Sequence, residues 1–209
     1  MNFDMNSIEN ILTGFLRNET NRIGIKKAVI GISGGVDSAV STFLTVKALG
    51  KENVLGVMMP YKTSSKNSIT DSQKVINAVG INSQKIEITP MVDAYLDNYA
   101  DKKISSKRKG NIMARMRMIV LYDLSAKENA LVIGTGNKTD AMLGYTTIYG
   151  DNACAINPIG DLYKTQIWEL ARYLGVPENI INKAPSADLW DGQTDEGEMG
   201  IKYKEVDNL

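Results

Sequence analysis

The chain contains no histidine. That excludes Ser–His–Asp and Cys–His catalysis and every histidine-ligated metal site, and it leaves proton transfer to carboxylates, lysines, tyrosines or water. There is one cysteine, Cys154, so no internal disulfide forms and a reducing compartment, the cytoplasm, is expected. There is no net charge, with 24 basic residues against 24 acidic. Bulk attraction to nucleic acid or to a membrane surface is therefore not expected. No apolar run approaches the roughly 20 residues that span a bilayer. The first ten residues carry Asp4 and Glu9 and no basic stretch, so a secretory leader is not expected either.

What is present fits one globular domain over residues 1–209, with 43% hydrophobic content to build its core. Residues 28–38 are the most informative: Ala-Val-Ile-Gly-Ile-Ser-Gly-Gly-Val-Asp-Ser. The apolar, β-branched start suits a buried strand. Ser33, Gly34 and Gly35 break it, and a helical pattern follows from Asp37 through Val40, Leu44 and Ala48. A strand turning through glycines into a helix start exposes free N–H groups and the positive end of the helix dipole, which makes a phosphate site. Ser33 and Ser38 add hydroxyl donors. The loop lacks both the Gly-Lys-Ser/Thr ending and the G-x-G-x-x-G spacing of the commoner phosphate motifs. It has Asp37 instead. A carboxylate beside a polyphosphate needs a bridging cation, so the loop implies a Mg-nucleotide. The plain alternative is a Gly/Ser turn with an ordinary helix cap.

The rest alternates. Ile8, Ile11, Leu12, Phe15 and Leu16 form a helical stripe. Strands are expected at 53–60, 85–88 and 130–134, and helices at 68–79, 90–99, 111–126 and 162–174. The alternation predicts an α/β fold, a Rossmann-like open parallel sheet with helices on both faces. The basic segment 101–109, with Lys102 among its cations, and the acidic, Gly-rich segment 185–199 read as loops; Trp190 in the second is a candidate for packing on closure or at an interface. Residues 134–141 form a second polar loop after a strand, and the two loops are expected to meet at one crevice. Asp140 is then either a second carboxylate for the cation or a helix cap. Lys164 opens a helix, where the dipole disfavours a cation, so a polyphosphate is a reason for it; the alternative is a surface lysine. Arg115 and Arg117 are too close to share a helix face, so at most one enters a given site. Helix 111–126 is apolar around more than one stripe, which suits a symmetric homodimer; the alternative is a helix sandwiched deep in one subunit.

The glycine loop resembles that of the PP-loop ATP pyrophosphatases, which cleave ATP between the α and β phosphates. The segments Gly-Asn-Ile-Met-Ala-Arg-Met-Arg-Met (110–118), Gly-Thr-Gly-Asn-Lys-Thr-Asp-Ala-Met-Leu-Gly-Tyr (134–145), Asn-Pro-Ile-Gly-Asp-Leu-Tyr-Lys-Thr-Gln (157–166) and Ala-Pro-Ser-Ala-Asp-Leu-Trp (184–190) resemble the ammonia-dependent NAD synthetases. The resemblance implies a ligase that joins ammonia to deamido-NAD at the expense of ATP, giving NAD, AMP and pyrophosphate. It implies that Gly31, Ile32, Ser33, Gly34, Gly35, Val36, Asp37 and Ser38 hold the ATP phosphates. Thr135, Lys164 and Ser186 would contact ATP, and Asp37 and Asp140 would bind Mg²⁺. Arg115 would contact deamido-NAD, and Asp151 would lie near the reacting carboxylate and ammonia. The resemblance also implies a homodimer with deamido-NAD near the interface.

Three departures from the family pattern are expected to matter. Asp140 stands where glutamate is common. Ile148 and Ala155 stand where a lysine and an aspartate often contact the dinucleotide. The C-terminus is short relative to the family. Cys154 lies in Ala-Cys-Ala-Ile with no histidine to activate it and is read as packing, so glutamine is not expected to serve as nitrogen source. The rival readings are a GMP-synthetase-like or tRNA-thiolating member of the superfamily, and a nucleotide-binding module without turnover.

Overall fold

The structure is a computed structural model and describes residues 4–99, 101, 103–189 and 192–208. It opens with α1 (Met5–Ile23), whose N-cap Asp4 accepts from the Asn6 and Ser7 amides and whose end is closed by Gly24. Then come β1 (Lys27–Gly31), α2 (Val36–Leu49), β2 (Val54–Met58), α3 (Lys66–Val79) and β3 (Asn82–Lys85). After α4 (Thr89–Tyr99), the long α5 (Ser106–Glu128) leads to β4 (Ala130–Ile133) and α6 (Lys138–Leu143). The last described segment is helical: α7 (Lys164–Leu174), α8 (Glu178–Ile181), α9 (Asp195–Met199) and α10 (Tyr203–Val206).

The strands form one parallel sheet in the order β3-β2-β1-β4. The chain winds outward from β1 to β3 and then returns to β4 on the other side of β1. The direction of winding therefore reverses between β1 and β4, where open α/β sheets bind ligands. Ala28, Val29 and Ile30 of β1 are all buried, on alternating faces of the sheet. Ala28 and Ile30 join Leu16, Leu44, Ile167 and Leu170 from α1, α2 and α7. Val29 faces the other way, toward Val92, Met113, Val120 and Leu124 of α4 and α5. Each fully buried aliphatic side chain of this kind contributes about 1.5–3 kcal/mol. Helices cover both faces, as expected from the alternation. Among the described residues no helix is long and apolar enough to cross a membrane.

The structure moves some element boundaries. The third strand falls at Asn82–Lys85 rather than at 85–88. It is an edge strand with exposed side chains, so it carries no apolar pattern. Ile86 and Ile88 follow as the chain leaves the sheet, and Ile88 is fully buried in the second core cluster. Half of the basic segment 101–109 is helical, because Ser105 caps α5 by accepting from the Arg108 amide. The acidic segment 185–199 contains α9, capped by Thr194. Both caps are ordinary start signals hidden inside polar runs. Lys102 and Trp190 lie outside the described residues.

Candidate active site

Gly34 and Gly35 make the turn between β1 and α2. Gly34 has φ +80°, and a Cβ there would stand 2.5 Å from the Ser68 carbonyl oxygen, so only glycine lets α3 pack against the loop. Gly35 is the N-cap of α2, and no side chain caps that helix. The N–H groups of its first turn are thus left for a ligand, with the positive end of the dipole behind them. The two loop serines are arranged differently from expectation. Ser33 and Ser38 hydroxyls are 3.1 Å apart, Ser38 Oγ donates to the Gly35 carbonyl at 2.9 Å, and the Gly35 amide donates to Ser33 Oγ at 3.3 Å. They brace the loop.

Asp37 is not the cap; it lies in the first turn of α2 with its carboxylate turned toward the starts of α6 and α7. There it accepts from Lys164 Nζ and, at 3.2 Å, from Asn137 Nδ2. The same amide donates to Asp140 Oδ2 at 2.7 Å, while Asn137 Oδ1 accepts from the Asp140 backbone N–H. Asn137 is thus the cap of α6, and the Asp140 side chain is left to the carboxylate cluster. Tyr203, fully buried on α10, donates to Asp140 Oδ1 at 2.7 Å and lies 3.3 Å from Asp195 Oδ2. Lys164, 2% exposed, stands 5.1 Å from the Tyr203 ring centre. It is not the surface lysine of the alternative reading.

The electrostatics follow from crowding three carboxylates and one ammonium into a buried space. Burial and the neighbouring Asp37 push Asp140 up to about 6, against the opposing pull of Lys164 and the Tyr203 and Asn137 hydrogen bonds. Burial raises Asp195 as well, again with Asp37 adding to the effect. Burial works against the charge of Lys164, yet Asp37 and Asp140 hold its proton above the ordinary lysine value. Burial and both Asp140 and Asp195 raise the Tyr203 phenol, so it stays a donor. The cluster carries more negative charge than it neutralises, and its donors are hard oxygens. That fits a divalent cation of the Mg²⁺ type. Among the described residues no group of three or more acidic, cysteine or histidine side chains converges as a ready-made metal shell. Two protein carboxylates with the remaining positions left to water and phosphate is the usual Mg²⁺ arrangement.

The crevice has two connected lobes. The smaller, about 100 Å³, is lined by Ser33, Gly35, Val36, Asp37, Lys164 and Ser186. The larger, about 350 Å³, takes in Gly31, Ile32, Ser33, Thr135 and Asp151 over an apolar floor that includes Met58, Met118 and Leu121. Ser33, Ser68, Ala187 and Asp188 line both. A polar pocket of phosphate size thus opens into an apolar one large enough for a flat ring. Asp151 accepts from Thr146 Oγ1 at 2.8 Å and from the Thr147 amide at 2.9 Å. Asp188, in a left-handed conformation at φ 51°, accepts from the Ser65 amide at 3.0 Å and ties the 184–189 segment to the start of α3.

Most of the residues singled out from sequence meet at this crevice. Gly34 and Ser38 brace the loop without lining either lobe, and Asp140, also outside the lining, meets Asp37 through their shared donor Asn137. Arg115 is not in the lining; it is exposed and donates from Nε and Nη2 to the Ile148 carbonyl at 3.3 and 3.2 Å. Arg117 is the arginine of the pair that enters the larger lobe, donating to the Met59 carbonyl at 3.0 Å. Sequence reasoning missed Asn137, Asp195 and Tyr203. The cap position before α6 was a signal for Asn137. Nothing local marked Tyr203, which reaches Asp140 across 63 residues of chain.

Comparison with known proteins agrees with this geometry. The family model described as NAD synthase matches residues 8–209. The NH3-dependent NAD+ synthetase of Fusobacterium nucleatum is 54% identical over 209 residues, which is all of this chain and 80% of that protein. The solved NMN synthetase of Francisella tularensis has a TM-score of 0.94 at 38% identity, over 99% of this chain and 86% of that one. The NH3-dependent NAD synthetase of Campylobacter jejuni, solved with a nitrate ion, has a TM-score of 0.82 at 41% identity, over 87% of this chain and 78% of that one.

Proposed function

The chain belongs to the NAD synthase family, and from that premise we propose that it is an ammonia-dependent NAD synthetase, a ligase that amidates deamido-NAD at the expense of ATP. The observation that carries the reading is the cluster of Lys164, Asp37, Asn137 and Asp140 beside an uncapped helix start. The neighbouring apolar lobe accepts the flat ring of the nucleotide.

The nicotinate carboxylate is a poor electrophile until one oxygen is esterified by the α phosphate of ATP. The N–H groups of the α2 first turn and Lys164 stabilise the pyrophosphate that departs. Asp37 and Asp140 would hold Mg²⁺, which when bound neutralises charge on the transferring phosphates. Ammonia then attacks the activated carbonyl and AMP leaves. With no histidine in the chain, Asp151 is the carboxylate that takes the proton from ammonium at the open side of the larger lobe. Thr135 and Ser186 hold the nucleotide, and Arg115 holds the dinucleotide.

Arg115 does so at a surface shared with a second copy. Ile119 and Tyr122, one and two turns along the same helix, are 51% and 39% exposed, and Ile148 beside Arg115 is 61% exposed. A twofold contact through this apolar strip would cover them and bring Arg115 to the dinucleotide.

A second reading changes only the substrate. The Francisella protein is named for NMN, and Ile148 and Ala155 are both exposed and uncharged, so neither offers a charged contact to a second nucleotide. On this reading the acid amidated is nicotinate mononucleotide, by the same steps. Incubation with ATP, Mg²⁺ and ammonium tests both readings, with deamido-NAD in one vessel and nicotinate mononucleotide in another. Amide product with stoichiometric AMP and pyrophosphate is expected from deamido-NAD. Amidation of the mononucleotide alone selects the second reading, and no amide from either rejects both.

A further inference from the structure

We infer that Lys183 is a further catalytic residue of the small lobe, its ammonium group taking oxygens of the pyrophosphate leaving group. The inference rests on the adenylation step proposed above.

Lys183 lines the small lobe together with Asp37 and Lys164. The lobe is poor in available positive charge. Lys164 is already paired with Asp37, and Asp188 and Asp195 also line the space. A pyrophosphate entering it meets carboxylates on several sides, so a second cation is needed. Among the described residues lining the small lobe, Lys183 is the other cation beside Lys164.

Its resting contacts suit an exchange of partners. Lys183 Nζ lies 3.1 Å from Ser68 Oγ and 3.4 Å from Asp71 Oδ2. Asp71 is 6% exposed, and its other oxygen accepts from Asn179 Nδ2 at 2.7 Å and from Lys74 Nζ at 3.2 Å. Lys183 is thus the loosest of three donors on one buried carboxylate. When it swings to a phosphate oxygen, Asp71 keeps two partners and no buried charge is orphaned. Ser68 also fixes the distance, because its carbonyl is pressed against Gly34 of the phosphate loop. In the step itself, a nicotinate oxygen bonds to the α phosphorus. The bond from that phosphorus to the bridging oxygen breaks, and the electron pair leaves with pyrophosphate. Lys183 gains charge-assisted hydrogen bonds to the departing oxygens and transfers no proton.

The test measures inorganic pyrophosphate directly. In the full-length wild-type protein, acylation of Lys183 by an amine reagent, followed by mass spectrometry, is expected to slow when pyrophosphate and Mg²⁺ are added. By calorimetry, Lys183→Gln is expected to bind pyrophosphate ten-fold or more weakly, and Lys183→Arg to recover most of that loss. The Gln variant is also expected to lower kcat while leaving KM for deamido-NAD unchanged. Unprotected Lys183 in the wild type, or a Gln variant that binds pyrophosphate as the wild type does, overturns the inference. Absence of amide product from the wild type would instead count against the proposed function, and the protection experiment still decides the role of Lys183.

Discussion

The Tyr203 hydroxyl donates to Asp140 at 2.7 Å, so a residue of α10 fixes the orientation of a carboxylate that opens α6. The Tyr203 ring also packs nearly at a right angle to Trp168, with ring centres 6.0 Å apart. Tyr203→Phe keeps the ring and deletes only the donor. It is expected to lower stability by about 1.5–3 kcal/mol, the cost of one hydrogen bond to a charged group. It should also raise the Mg²⁺ concentration needed for half-maximal nucleotide binding. Denaturant unfolding and calorimetry with a non-hydrolysable ATP analogue measure the two effects separately. An unchanged Mg²⁺ requirement would reduce Tyr203 to a packing residue.

Lys164→Ala removes one partner of a buried pair and leaves Asp37 with only the Asn137 amide. The chain should lose about 3–5 kcal/mol of stability. Turnover of what remains folded should fall by about ten-fold or more, at ~1.4 kcal/mol per decade. Steady-state kinetics at low temperature checks this, and normal kcat in the variant would remove Lys164 from the phosphate site.

Asp37→Asn keeps the side-chain outline and leaves the Gly35 cap of α2 untouched, but it removes the charge paired with buried Lys164, so it should fold with reduced stability. It should abolish Mg²⁺-dependent turnover. Asp140→Glu adds one methylene and is expected to retain activity, whereas Asp140→Ala should behave like Asp37→Asn. Pyrophosphate release assays across a Mg²⁺ series rank the three, and a fully active Asp37→Asn would leave that carboxylate without a metal role.

Cys154 packs against Gly134, where a Cβ would meet its sulfur at 2.6 Å. Burial pushes its thiol above the ordinary cysteine value. A raised value means less thiolate at a given pH, so labelling by a thiol reagent at pH 8 should be slower in the folded chain than in the unfolded one. It should speed up only as pH rises further. The same inertness predicts no NAD from glutamine as sole nitrogen donor. Rapid labelling of the native chain at pH 8 would contradict the burial argument.

Sedimentation addresses the surface of α5. A dimer is expected at micromolar concentration, and Ile119→Asp should give a monomer of 22.9 kDa that binds deamido-NAD less tightly. A wild-type monomer that still makes amide would show the second copy to be unnecessary.

Much of this was legible in the sequence because it is local. The turn at Gly34, the buried run of β1 and the stripes of α1 and α7 each follow from residues a few positions apart. The parallel sheet with helices on both faces then follows from alternation, while the strand order β3-β2-β1-β4 is seen only in the structure. Residues 82–85 escaped because an edge strand needs no apolar face, and Ile86 and Ile88 placed the pattern three residues late. The cluster around Asp140 escaped for a different reason. Asn137, Asp195 and Tyr203 acquire their roles only by meeting, and separations such as the 63 residues between Tyr203 and Asp140 leave no periodic trace. The two arginines show the same limit. Helical spacing said that they diverge, and only the packing of α5 says that Arg117 faces the crevice and Arg115 the solvent.

Asn137 gives two carboxylates from different helices a common donor while itself being 1% exposed. An aspartate would fill the same volume with the same outline. It would offer oxygen lone pairs where the amide offers hydrogens, and turn a tether into a further repelling charge. The site therefore has a failure route that leaves packing intact: hydrolysis of a single side-chain amide as the protein ages. A preparation that has lost activity with its fold unchanged should be searched by mass spectrometry at residue 137 first.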